Sequence, residues 1–97
     1  MAYEIRLHPL AEVEIWEAID WYDEQQLDLG KSFARELDLV VSAIRSSPFQ
    51  FPQVSARKHK AVFRRFPYVV IFEIYPELIN ILAVFHTSRD PEAWRER

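Results

Sequence analysis

The sequence predicts an α+β domain: an N-terminal strand, a helical hairpin, then a three-stranded antiparallel meander, with the hairpin packed on one sheet and a short C-terminal helix or tail. Three observations carry this. Apolar residues alternate with polar ones at the start, recur at three- and four-residue spacings through two long stretches, and then fall into three short β-rich runs separated by prolines. Ninety-seven residues support one core, so residues 1–97 are read as a single domain.

Tyr3, Ile5 and Leu7 alternate with Glu4, Arg6 and His8, the period of a strand with one buried face, and Pro9 closes it. From Leu10 to about Gln26 no Gly or Pro intervenes, and Ala11, Ile15, Ala18 and Tyr22 share a helical face expected to meet the sheet. Leu10, Val13, Trp16 and Trp21 lie on another flank, so this helix calls for a second neighbour. Leu27-Asp28-Leu29-Gly30 reads as a tight connection, with the only glycine supplying backbone freedom. The second helix, about Lys31 to Ser46, gathers Phe33, Leu37, Val40, Val41 and Ile44 on one stripe and places Arg35, Glu36, Asp38, Ser42 and Arg45 off it.

Ser46-Ser47-Pro48 ends that helix, and a Pro-containing loop pinned by Phe49 and Phe51 runs to about Ser55. Strands are expected at about Lys60 to Phe66, Val69 to Ile74 and Ile79 to His86. The last is apolar on both parities, which suits a central strand covered on two sides. A short tail helix is expected to start at Asp90, with Pro91 at its first position and Trp94 as anchor.

Charge is unevenly placed. Residues 1–54 hold 4 Lys or Arg against 10 Asp or Glu, while residues 55–97 hold 8 against 5, so a net −6 half precedes a net +3 half. The cations concentrate in Arg57 to Tyr68, which contains Arg57, Lys58, Lys60, Arg64 and Arg65 around His59. Such a run points to phosphate, an acidic partner or a charged interface. Alternation along a strand sends Arg64 and Arg65 to opposite faces, which favours an interaction surface over a catalytic one.

Several chemistries are set aside. There is no cysteine, the three histidines are dispersed without metal-ligand spacing, and one glycine cannot build a phosphate-cradling loop, so no metal and no cofactor is expected. The longest apolar run, Ile81 to Phe85, is far short of a membrane span, and a soluble cytoplasmic protein without membrane contact is the expectation. The acidic residues Asp20, Asp23, Glu24 and Asp28 read as a solvated helix end.

Read together, Ile5-Arg6-Leu7-His8-Pro9-Leu10-Ala11, Asp20-Trp21-Tyr22, Leu29-Gly30 with Phe33 and Glu36-Leu37, Pro48 with Phe51-Pro52, Arg65-Phe66-Pro67-Tyr68, and His86 with Arg89-Asp90-Pro91 and Trp94 resemble the RelE/ParE superfamily of bacterial type II toxins, including plasmid stabilisation proteins. The resemblance covers nearly the whole chain. It implies a cytoplasmic toxin in a hetero-oligomer with a cognate antitoxin, and two mechanisms: RelE-like members cleave messenger RNA on the ribosome, whereas ParE-like members poison DNA gyrase without hydrolysing a substrate.

A metal-free ribonuclease needs a base for the ribose 2′-hydroxyl, cations for the phosphate and an acid for the leaving oxygen. Arg64, Arg65, His86 and Arg89 are the catalytic candidates on that reading, with Lys58 and Lys60 as phosphate holders and His59 as another proton carrier. RelE-like nucleases carry a late catalytic tyrosine or an equivalent group, and Thr87 to Arg97 contains no Tyr, Lys or His. The ParE-like alternative is therefore preferred, with an inactive toxin-fold binding module as a third reading. Its partner-binding residues are Arg57, Lys58 and Lys60, facing acidic antitoxin groups, and Val13, Trp16 and Trp21 beside an apolar groove.

Overall fold

The computed structural model describes residues 3–89 and 94–97. Strand β1 (Glu4–Leu7) leads into helix α1 (Pro9–Gln25) and helix α2 (Leu29–Ser46); a 3₁₀ turn (Pro48–Gln50) precedes β2 (Gln53–Ser55), β3 (Lys58–Val62), β4 (Tyr68–Ile74) and β5 (Leu78–His86). The five strands form one sheet in the order β1-β5-β4-β3-β2. All neighbours are antiparallel except β1 and β5, which pair in parallel from Glu4 beside Leu78 to Leu7 beside Ile81.

The expected α+β architecture is found, with local corrections. The loop after α2 contains a fifth strand, β2, hidden in sequence by Pro48 and Pro52. Strand β3 begins and ends earlier than the apolar pattern suggests: it stops at Val62, so Arg64 and Arg65 lie in the following turn and not on opposite faces of a strand. Phe49 is exposed and Phe51 alone of that pair packs on the core. The tail helix expected from Asp90 lies outside the described residues.

The hairpin connection is also built differently. The left-handed residue is Asp28 (φ 65°), a type that tolerates this region better than most. Gly30 sits within α2 and serves close approach instead. Its amide donates to Asp23 Oδ1 at 2.8 Å, and a Cβ there falls 2.6 Å from both Asp23 Oδ1 and the Ile19 carbonyl oxygen. Gly30→Ala is expected to destabilise the fold by roughly 2 kcal/mol, the strain of parting the two helices outweighing the gain in helix propensity. Chemical denaturation measures this; an unchanged midpoint removes the close-approach account.

The main core lies between the hairpin and the sheet. Phe33 is fully buried at its centre, with ring centroids 5.6 Å from Tyr22, 5.1 Å from Phe63, 5.3 Å from Phe66 and 4.9 Å from Tyr68. Ala11, Ala18 and Tyr22 supply the buried face of α1, as their spacing predicts. A smaller cluster on the opposite sheet face joins Val69, Ile71, Leu82, Ala83 and Trp94. The double cover explains the apolar parities of β5, and the register shift opposite Ile71 and Phe72 adds a second cause. Leu82 is the extra residue there, so Ile79, Ile81 and then Val84 share the helix side.

Candidate functional site

Beyond Ile81, β5 is paired with β4 on one side but has no strand on the other, because β1 ends at Leu7 and the chain turns into α1. His8 makes that turn: its amide donates to the Ile81 carbonyl at 2.8 Å, and its ring Nδ1 accepts the Leu10 amide, capping the helix before Pro9 can disturb it. Two side chains occupy the bare edge of β5 in place of a strand. Glu14 Oε1 accepts the Val84 amide at 2.9 Å, Arg97 Nη1 donates to the Leu82 carbonyl at 2.9 Å, and the pair closes on itself through bidentate contacts of 2.9 Å.

Next to this clamp a cleft of about 400 Å³ opens, lined by Glu17, Trp21 and Tyr22 from α1, Tyr68 from β4, and His86, Ser88 and Arg89 at the end of β5. The Thr87 amide donates to the Pro67 carbonyl at 2.8 Å, holding the loop after β5 against the turn before β4. Burial pushes the Tyr68 hydroxyl above its ordinary value, Tyr22, Glu14 and Glu17 add to the rise, and Arg89 opposes it. Tyr68 is thus a neutral phenol at neutral pH.

His86 and Arg89, both singled out from sequence, meet in this cleft. The His86 Nδ1 accepts the Ser88 amide at 3.0 Å and lies 2.7 Å from the Ser88 hydroxyl. Accepting that amide places the neutral ring's proton on Nε2, so no free ring nitrogen is left to act as a base. Arg89 makes no ion pair among the described residues. Tyr68 and Glu17 were missed in sequence because only the tertiary fold brings them together.

Arg64 and Arg65 line a different hollow, a groove of about 700 Å³ between α2 and the β3–β4 turn, together with Arg35, Leu39, Val40, Phe51 and Val62. Their backbone is fixed by Glu36, which is buried on the α2 stripe and not off it as its polarity suggested. Its carboxylate accepts the amides of both Arg64 and Arg65 and the Arg65 guanidinium at 3.3 Å. Burial alone pushes the Glu36 carboxyl up, but those two amides and the Arg65 charge together hold it below the usual carboxylate range.

The rest of the basic run disperses. Lys58 reaches the sheet face opposite the helices, its Nζ 5.9 Å from the Trp94 ring, while the Arg57 guanidinium lies 5.4 Å from the Tyr75 ring. Lys60 is exposed. His59 is withdrawn from proton transfer: it is buried, stacks on Phe72, and its Nδ1 lies 2.9 Å from the Phe51 carbonyl. Val13, Trp16 and Trp21 stand exposed on α1, whose 17 residues include six carboxylates and no Lys or Arg. No helix among the described residues is long and apolar enough to cross a membrane.

Residues 5–91 match the ParE toxin family of type II toxin–antitoxin systems, parDE. Toxin ParE2 of Mycobacterium tuberculosis (strain CDC 1551 / Oshkosh) is 28% identical over 94 residues, covering 96% of this chain and 90% of that protein. Among solved structures, a chain of the chromosomal ParDE system from P. aeruginosa superposes with a TM-score of 0.76 at 13% identity, covering 88% of this chain and 96% of that one. A chain of the toxin–antitoxin complex RelBE2 from Mycobacterium tuberculosis gives 0.65 at 15% identity, with 89% and 99% covered.

Proposed function

This chain belongs to the ParE toxin family, and from that premise we propose that it inhibits growth by binding a protein target in the cytoplasm, DNA gyrase being the first candidate, and that a cognate antitoxin neutralises it. The observation that carries this reading is the separation of the groups an RNA-cleaving site needs. Arg64 and Arg65 line one hollow and His86 and Arg89 another, and the neutral His86 ring has its acceptor nitrogen engaged. General acid–base cleavage requires those groups to converge within hydrogen-bond reach of one scissile phosphate.

The exposed apolar residues of α1 favour protein contact in the same direction. Induced expression tests the reading. DNA breaks and a damage response are expected, with messages intact, and His86→Ala is expected to leave growth inhibition unchanged. Rapid message cleavage that His86→Ala abolishes overturns it in favour of a ribosome-dependent nuclease.

A further inference from the structure

We propose that the cleft at the end of β5 is a slot for one more strand: an extended segment of the protein target adds parallel to β5, seats one residue opposite Phe85 and sets a carboxylate side chain on Arg89. That the segment belongs to the target rests on the reading above. The cleft lies on the β1 side of β5, at the place the first strand would reach if the chain did not turn into α1 at His8.

The backbone fixes the direction of the added segment. The Val84 amide faces this edge, since it donates to Glu14 Oε1, and alternate residues of a strand present their N–H and C=O to the same side. The Val84 carbonyl and the His86 amide therefore face it as well. The Tyr68 carbonyl, opposite His86, accepts the Phe63 amide at 3.0 Å, so β4 does not take up the His86 backbone, and these two groups have no hydrogen-bond partner among the described residues. The His86 carbonyl is spent on the Arg89 amide at 3.0 Å. A carbonyl followed two residues later by an amide is the pair that one residue of a parallel neighbour satisfies, its N–H donating to the first and its C=O accepting from the second. The Glu14 and Arg97 clamp closes the edge before this point and the turn at Thr87 ends it, so the segment is short.

Side chains select what enters. Phe85 packs on the sheet face away from the helices, so the residue opposite it points that way too. The next residue of the segment then faces the helix side, between Trp21 on α1 and the pair Tyr68 and Arg89. Arg89 is exposed and makes no ion pair among the described residues, and Tyr68 adds a hydroxyl kept neutral by burial. Glu17 on α1 opposes a carboxylate, which places the acid on the Arg89 side of the cleft. Trp21 is 54% exposed and continues into the α1 flank already read as a protein contact, which joins the slot to that surface. His86 takes part only through its backbone, so His86→Ala leaves the slot intact.

A capped peptide of alternating threonine and valine, with one valine replaced by aspartate, tests this by NMR titration of the whole chain beside its asparagine and lysine counterparts. The aspartate peptide is expected to bind about tenfold tighter than either counterpart, and at saturation to slow hydrogen exchange at the His86 amide about tenfold or more. N-methylation of the residue before the aspartate removes the donor to the Val84 carbonyl and is expected to abolish binding. Arg89→Gln is expected to weaken the aspartate peptide about tenfold and Glu17→Gln to tighten it, while Arg64→Gln, in the other hollow, changes nothing.

Unchanged exchange at His86, equal binding of the asparagine or lysine peptide, or binding that survives N-methylation each overturns the slot. So does indifference to Arg89→Gln, loosening by Glu17→Gln, or an equal loss with Arg64→Gln. A peptide that binds only through a free C-terminal carboxylate overturns it too, since a chain end would then be the occupant. In cells, Arg89→Glu is expected to reduce DNA breakage about tenfold or more while the chain still co-purifies with its antitoxin. Breakage that persists overturns the assignment to the target. The titration does not depend on toxicity, so message cleavage by a chain that binds the peptide defeats the functional reading alone. DNA breakage by a chain whose cleft binds nothing defeats only the slot.

Discussion

Glu36→Ala is expected to lower the unfolding free energy by about 3 kcal/mol, the largest effect of any charged residue on α2. The substitution removes no bulky apolar group. Its cost comes from stranding the amides of Arg64 and Arg65, which share one buried carboxylate, and each buried unsatisfied donor costs about 1–3 kcal/mol. The pH dependence has a defined sign. Because the folded carboxyl is held below its unfolded value of about 4.3, its contribution is fully present above that pH and is lost as pH falls through the folded value. The gap between the wild-type chain and Glu36→Gln is therefore expected to be widest near neutrality and to close in acid. Urea titrations across that range check it; a gap that is constant with pH removes the electrostatic part of the account.

Glu14→Ala is expected to cost about 3–4 kcal/mol, the range for breaking one half of a largely buried ion pair. It leaves Arg97 without its bidentate partner and the Val84 amide without an acceptor. Removing Arg97 as well is expected to cost less than the two single changes added together, because the first change already forfeits the shared contacts. A double-mutant cycle measures the coupling, and hydrogen exchange at Val84 reports the edge directly. Strict additivity, or an exchange rate at Val84 indifferent to Glu14→Ala, contradicts the view that these side chains stand in for a strand.

The periodic helices and the apolar strands β4 and β5 were legible in sequence because burial of one face imposes the period that a reader looks for. β2 was not, since Gln53, Val54 and Ser55 carry one apolar residue directly after a segment that contains Pro48 and Pro52. The parallel joining of β1 to β5 left no local trace at all, being a pairing of segments more than 70 residues apart. Glu36 and Glu14 were misplaced or passed over for another reason. Each is a carboxylate three or four residues from buried or partly buried apolar positions on its own helix, Phe33 and Val40 for Glu36, Ala11 and Ala18 for Glu14. Such a residue has to find a donor, and that requirement was a readable signal.

The site followed the same division. His86 and Arg89 stood out as titratable or charged residues at a strand end, and the fold brings them together. Arg64 and Arg65 were separated by an alternation that did not apply, since β3 had already ended. The cleft's other lining residues Tyr68 and Glu17 are ordinary in sequence and meet only through the packing of α1 on the sheet, whereas Ser88 reaches His86 locally.

The parallel seam between β1 and β5 also sets an order of events. During synthesis the first strand has no neighbour until the last strand has been made, so β1 and the helical hairpin wait for their place on the sheet while residues 47–86 are translated. Closure of such a long loop is slow relative to hairpin formation. The nascent chain therefore has an interval in which α2 is present but the strand that completes the sheet beneath it is not.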